Sequence, residues 1–292
     1  PDASNELQLI GYVVPHGPQP DTSVFSTTAS SAVQSHVGNW QQLWSEAYDR
    51  RIDHQTAAES DPCFDFSGYG DSYTGQLLSA TVVQEWVECT VDRIKALQPK
   101  RVLEIGCGKG LLLFRLAPEC DRYVGIDVAP TALDHIQSHC NQNKDAWHHV
   151  SLFQAAAHEL EEIEALGEEQ FDTIVINSVI QYFPSASYLL ELLESLQNRL
   201  TSGGQIFIGD VRHLGSLSLF HSSVQVHKTP LASVETLQTR ITAKAKSDPE
   251  LVFSPDFFHR LPQYLSGLTR VSQQLKRGQH QSELTDFRYD IV

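Results

Sequence analysis

Between residues 33 and 97 apolar side chains recur at three- and four-residue intervals. Val37, Trp40, Leu43, Trp44 and Tyr48 form one stripe, and Val82, Val83, Trp86, Val87, Val91 and Ile94 form another. The pattern predicts two amphipathic helices, one starting near Val33 and one from about Ser79 to Leu97 with Ser79 as its cap. An aromatic and glycine loop, Phe64 to Gly75, lies between them. From Arg101 the rhythm changes to short β-branched runs, at Arg101–Ile105, Tyr123–Ile126, Val150–Phe153, Phe171–Ile176 and Gln205–Ile208, separated by helical stretches. That alternation predicts a parallel sheet covered by helices on both faces. Gly203-Gly204 predicts a tight turn reversing the helix before the fifth strand. Helical patterning after Asp210 extends to about Leu265, and two last strands are expected at Thr269–Leu275 and Asp286–Val292. Ahead of all this, Leu7–Val14 reads as a strand and Pro15–Ser31 as a linker.

Composition narrows the field. The 292 residues carry 21 Lys and Arg against 36 Asp and Glu, a formal charge of −15, which disfavours nucleic acid as a partner. No apolar run approaches the roughly 18 residues of a membrane helix, so no membrane span is expected. The first residues show no signal peptide, and a chain starting at Pro1 without Met reads as processed or excised. Five cysteines without a CxxC pair point to reduced thiols, and cytoplasmic localisation follows as the expectation.

The chemistry begins at Val102-Leu103-Glu104-Ile105-Gly106-Cys107-Gly108-Lys109-Gly110, which runs from strand to helix. Glycines at such a turn let backbone approach a ligand closely. The spacing is GxGxG rather than the GxGxxG of a pyrophosphate cradle, because Leu occupies position 111. Glu104 suits a cationic amino group, and Gly106 and Gly108 leave room for a carboxylate and a ribose. Asp127 ends the next strand, where a carboxylate accepts hydrogen bonds from both ribose hydroxyls. Together they imply an amino-acid nucleoside; strand-end acids that merely cap the following helices are the alternative.

These residues resemble class I S-adenosylmethionine methyltransferases, an α/β class with a Rossmann-like, mostly parallel seven-stranded sheet, helices on both faces and, here, an N-terminal helical lid. The resemblance implies S-adenosyl-L-methionine as cofactor, Asn177 near its methionine part, Ala157 and His158 near adenine, and Tyr73 in a lid loop above it. Gln154-Ala155-Ala156-Ala157-His158 lacks the acid that many relatives place there. Gln279 to Tyr289, with Ser282-Glu283-Leu284-Thr285-Asp286-Phe287-Arg288-Tyr289, resembles the NELSxYRY motif of N-methyltransferase domains embedded in adenylation domains of nonribosomal peptide synthetases; Ser282 stands where the family usually has Asn. Asp65 to Tyr69, Ser72 to Gln76, Asn177 to Pro184 and Gly209 to Arg212 extend the likeness over about Trp40 to Val292. Glu6 to Pro15 resembles an adenylation-domain strand, with an N-terminal edge strand as the alternative.

The resemblance divides the chain into residues 1–32, a remnant of the adenylation domain with its linker; 33–98, the lid; and 99–292, the core, with a helical insertion around 213–265. It implies N-methylation of the α-amine of an aminoacyl thioester on a peptidyl carrier protein's phosphopantetheine arm, beside the flanking adenylation domain. A free-standing small-molecule N- or O-methyltransferase is the competing reading, and a non-catalytic spacer the third. Methyl transfer from a sulfonium is an in-line displacement that needs an aligned, unprotonated amine and little acid–base power. Glu283, Asp210 and Tyr182 are the catalytic candidates; Gln181, Arg212 and Tyr289 line the expected substrate pocket. A helix cap for Asp210 and a surface pair with Arg288 or Arg277 for Glu283 stay open. Lys276-Arg277 is a candidate contact for the carrier arm's phosphate, with a solvated turn as the alternative. His135 and His139 share a helix face without a third ligand, so no metal is expected.

Overall fold

The computed structural model describes residues 30–49 and 61–292. The expected strand at Leu7–Val14 and its linker up to residue 29 lie outside the described residues. Within them, seven strands form one sheet: β1 (Arg101–Ile105), β2 (Arg122–Asp127), β3 (Val150–Gln154), β4 (Phe171–Asn177), β5 (Leu200–Arg212), β6 (Gln273–Leu275) and β7 (Arg288–Ile291). Their order is β3-β2-β1-β4-β5-β7-β6. The first five pair in parallel, while β7 runs antiparallel to both β5 and β6. This is the α/β, Rossmann-like sheet the alternating runs predict.

Among the described residues ten helices accompany it: α1 (Ser30–Asp49), α2 (Ala80–Lys95), α3 (Leu113–Leu116), α4 (Pro130–Cys140), α5 (Lys144–Trp147), α6 (Ala186–Leu196), α7 (Leu217–Lys228), α8 (Val234–Lys246), α9 (Pro255–Arg260) and α10 (Glu283–Asp286). None of these is long and apolar enough to cross a membrane.

Period-two alternation in the central strands builds two cores. Leu103, Ile105, Ile174, Ile176 and Ile208 face α6, whose Leu189, Leu192, Leu193 and Leu196 pack on them. Val102, Val175 and Phe207 face the other way, onto Val83, Trp86, Val87 and Ile94 of α2. Both helices start on a serine: Ser79 accepts from the Val82 amide and Ser185 from the Tyr188 amide, satisfying one otherwise orphaned donor in each first turn.

Gly203-Gly204 plays a different part from the one expected. The helix reversal is complete by the turn at Gln197–Arg199, and β5 has begun at Leu200. The glycines lie within β5, where pairing jumps from Phe171↔Leu200 to Thr173↔Gln205 and the intervening residues bulge out of the ladder.

Strand order reverses between β1 and β4, because β2 lies on one side of β1 and β4 on the other. At such a switch point the following loops diverge and leave a crevice beyond the carboxyl ends of the strands. A cavity opens at that crevice. Since Leu189 is fully buried at the centre of one core, Leu189→Ala should cost about 2–5 kcal/mol of unfolding free energy, read as a lowered urea midpoint at unchanged slope.

Candidate functional site

A cavity of about 580 Å³ opens above the ends of β1 and β4. The glycine loop forms its floor: the amides of Gly106 and Cys107 both donate to the Ile126 carbonyl, at 2.8 and 3.0 Å, pinning the loop to β2. Gly106 has φ +76°, and a Cβ there would stand 2.3 Å from Cγ2 of Val179, just past β4. No other residue fits so close an approach. Gly108, at φ +50°, donates its amide to Asp127 Oδ2 at 2.8 Å, and the Ala129 amide donates to Oδ1 at 2.8 Å. Each Asp127 oxygen thus engages one lone pair with backbone and keeps another for the cavity that Asp127 lines.

Two buried carboxylates, Asp127 and Glu104, share this end of the cavity. Burial raises the Asp127 carboxyl above its usual range, partly offset by those amides. For Glu104, burial pushes the pKa up to about 8; the Tyr123 hydroxyl, donating to Oε2 at 2.8 Å, lowers it, and the Asp127 charge raises it further. Neither acid forms a salt bridge among the described residues. Two further acceptors on the cavity wall, Asn177 Oδ1 and Gln181 Oε1, are buried with no hydrogen-bond partner among the described residues. Unneutralised acids and orphaned acceptors fit a ligand rich in donors and positive charge, such as an amino-acid nucleoside with an ammonium group and ribose hydroxyls.

The roof comes from α1, where Val37, Trp40, Trp44 and Tyr48 line the cavity. Tyr182 meets this roof, its ring 4.5 Å from Trp40 and 5.3 Å from Trp44. Burial drives the Tyr182 hydroxyl well above its ordinary pKa, so it stays protonated and can donate a hydrogen bond without acting as a base. Glu283 also lines the cavity, where Oε1 accepts from the Ser72 amide at 2.6 Å and Oε2 from the Ser72 hydroxyl at 2.7 Å. Its partner is therefore the aromatic loop, and neither Arg288 nor Arg277.

Five sequence candidates lie elsewhere. Asp210 is fully buried behind the wall, where burial alone would raise its pKa; Arg288 at 2.5 Å, Lys276 at 3.6 Å, and donors from Ser178 and Trp86 outweigh that and hold it below the usual carboxylate range. It is neither a cavity-facing base nor the cap of a helix near His213. Tyr289 is core, its hydroxyl donating to the Phe253 carbonyl at 3.0 Å. Tyr73 turns outward to α7, its hydroxyl 3.0 Å from Ser223 Oγ. His158 stands behind Tyr188, whose hydroxyl meets its amide and Nδ1 at 3.1 and 2.9 Å; Tyr188 and Ala157 line the cavity instead. Lys276 is also withdrawn, buried against Asp290 at 2.8 Å, because two buried carboxylates compete for it.

Glu104, Gly106, Gly108, Asp127, Asn177, Gln181 and Arg212 do come together around one cavity. His221, Asp248, Glu250 and Arg288 join them without having been singled out as site residues. The helical stripe that placed Trp40 and Trp44 in a packed face was visible, but a roof and a core have the same period.

Residues 103–206 match the family described as Methyltransferase domain. The chain carries a methyltransferase domain. Similarity extends over most of the chain to segments of much longer proteins: 38% identity over 98% of the chain with chondramide synthase of Chondromyces crocatus, 32% over 92% with a peramine synthetase of Metarhizium rileyi, and 30% over 78% with the nonribosomal peptide synthetase asqK of Emericella nidulans. The methyltransferase spans only 7%, 10% and 9% of those proteins. The solved DhpI–SAM–HEP complex shares the fold, with a TM-score of 0.53 at 12% identity, covering 90% of this chain and 98% of that one.

Because burial pushes the Glu104 carboxyl up to about 8, it is largely protonated at neutral pH and must ionise to meet an ammonium. Affinity for S-adenosylhomocysteine should therefore rise with pH and level off above about 8, with proton release on binding below that. Calorimetry in buffers of different ionisation enthalpy reads the proton; Glu104→Gln should abolish the release and weaken binding.

Proposed function

We propose that this methyltransferase N-methylates the α-amine of an aminoacyl thioester carried on the phosphopantetheine arm of a peptidyl carrier protein, beside an adenylation domain and in the cytoplasm. The observation that carries the reading is the alignment of nearly the whole chain with a small share of synthetases that are ten or more times its length. A second support is the cavity's chemistry: orphaned acceptors at Asn177 and Gln181 suit an amine that presents N–H donors.

Under this reading each residue binds, orients or excludes water. The backbone at Gly106 and Gly108 lets the cofactor lie against the sheet, Glu104 meets its ammonium, Asp127 its ribose hydroxyls, and the backbone at Ala157 its adenine. Bound S-adenosylmethionine supplies a methyl group on a positively charged sulfur. Asn177 then stands at the methionine end, and Gln181 and Tyr182 orient the incoming amine. Arg212 lines the acceptor side. Glu283 fastens the aromatic loop over the cavity through Ser72, which excludes water and strengthens every polar contact inside. Residues 33–98 serve as the lid on a core of residues 99–292, with residues 1–32 as adenylation-domain sequence.

Intact-protein mass spectrometry with labelled cofactor tests the substrate. Carrier-bound aminoacyl groups should gain one methyl on nitrogen, and the free amino acid should react far more slowly, because binding energy from the arm and carrier is absent. Equal rates for both would favour a small-molecule methyltransferase, and methyl on oxygen would refute N-methylation. Asp127→Ala should weaken cofactor binding by about 1.5–3 kcal/mol, the scale of charge-assisted hydrogen bonds, measured by calorimetry. Glu283→Gln should lower turnover by about 10-fold or more while cofactor affinity stays near the parent value, since the change falls on the acceptor side.

A further inference from the structure

Methylating an amine leaves a proton to be removed, and the acids nearest in expectation are engaged. Asp210 is closed off behind Arg288 and Lys276, and both oxygens of Glu283 accept from Ser72. Glu104 and Asp127 belong to the nucleoside end. The opposite wall, made by α7 and the turn after α8, holds another arrangement. Asp248 takes Nη1 and Nη2 of Arg212 on its two oxygens, both at 2.8 Å, and its Oδ2 stands 2.9 Å from His221 Nε2. Burial alone would raise the Asp248 carboxyl, yet Arg212, the Glu250 amide and His221 together hold it below its usual range.

An ionised Asp248 can only accept, so the hydrogen bond places the imidazole proton on Nε2 and leaves a lone pair on Nδ1. That nitrogen has no partner among the described residues and is not among the side-chain atoms shut off from solvent without one. His221 lines the cavity, as do Asp248 and Arg212. An imidazole fixed by a carboxylate through one nitrogen, standing on a cavity wall with the other nitrogen unpartnered and open to solvent, has the geometry of a general base.

We propose that His221, oriented by Asp248 and Arg212, takes the proton from the acceptor amine. The inference rests on reading the cavity as the seat of N-methylation. As the nitrogen lone pair bonds to the methyl carbon, the carbon–sulfur bond breaks and its electron pair stays on sulfur. The N–H proton passes to Nδ1, the imidazolium is stabilised by Asp248, and solvent at the cavity mouth later receives the proton. Charged groups on the surrounding walls are Arg212 on β5, Asp248 and Glu250 after α8, Lys228 on α7 itself, Lys244 on α8 and Arg288 on β7.

The experiment compares the 292-residue chain with His221→Gln and Asp248→Asn, measuring methyl transfer to an aminoacyl carrier at saturating cofactor across the neutral pH range. His221→Gln should lower kcat by about 10²-fold, abolish the rise of kcat with pH on the acid side, and leave the cofactor dissociation constant unchanged. Asp248→Asn should lose less and shift that rise to lower pH, since removing the carboxylate disfavours imidazolium. Added imidazole should restore part of the rate to His221→Ala. A parent-like kcat and pH profile in His221→Gln overturns the base assignment, as does a rate loss that tracks melting temperature or cofactor affinity with the profile's shape intact. If the parent chain itself transfers no methyl to the carrier substrate, the proposed function fails and this inference with it.

Discussion

The geometry of the site depends on two carboxylates that never touch its ligand space. Asp210 and Asp290 are both fully buried. Between them they hold Arg288, Lys276 and Arg93, while Asp290 also accepts the Asp210 amide and Asp210 accepts from Trp86 and Ser178. One cluster therefore joins β5, β7, α2, the segment after β6 and the residue just past β4. Removing one member would leave the others buried and unpaired, a far larger penalty than the pairing itself contributes. Asp210 and Ser178 both take positive φ, at 65° and 57°, and the cluster holds these two bends, one within β5 and one just past β4.

The contrast with the acids on the other side of the sheet's switch point separates framework from function. Asp210 and Asp290 have as many cations as burial demands. Glu104 and Asp127 have none among the described residues, only hydroxyl and amide donors. Burial without a cation raises both carboxyls above their usual range, Glu104 to about 8. Asn177 and Gln181 repeat the theme in uncharged form.

Much of this was legible along the chain. Strand and helix positions follow from periodicity that tertiary packing reinforces, as in Val102, Val175 and Phe207 facing α2. The glycine loop at the cavity floor was legible because backbone demands there are local: glycine where Val179 presses in, an acid at each of two neighbouring strands. On the opposite wall Gln181 and Arg212 were legible, but His221 and Asp248 were not, since they meet Arg212 only through folding. Asp248 lies in an aperiodic turn, and His221 is one polar residue on a mixed helix. Asp210 was misread for the converse reason. It directly follows Gly209, the residue paired with the cavity-lining Asn177, but its positive φ turns the side chain inward among cations that arrive from β7 and the segment before it. Tyr73 and Tyr289 likewise belonged to recognisable motifs whose residues turned out to pack.

The position of β7 has a consequence for how the chain reaches this state. Strand β7 is formed by residues 288–291 and fills the slot between β5 and β6. Everything before it can collapse, yet β5 then presents a bare edge, and Asp210 waits without Arg288. The Ser72–Glu283 hydrogen bonds, spanning 211 residues of sequence, must also wait. Pairings this distant close slowly, because the entropy of a long loop is lost before any contact repays it. The roofed cavity is thus a late product of folding, which passes through a stage with an open sheet edge, vulnerable to wrong partners, until residues 288–291 take their place between β5 and β6.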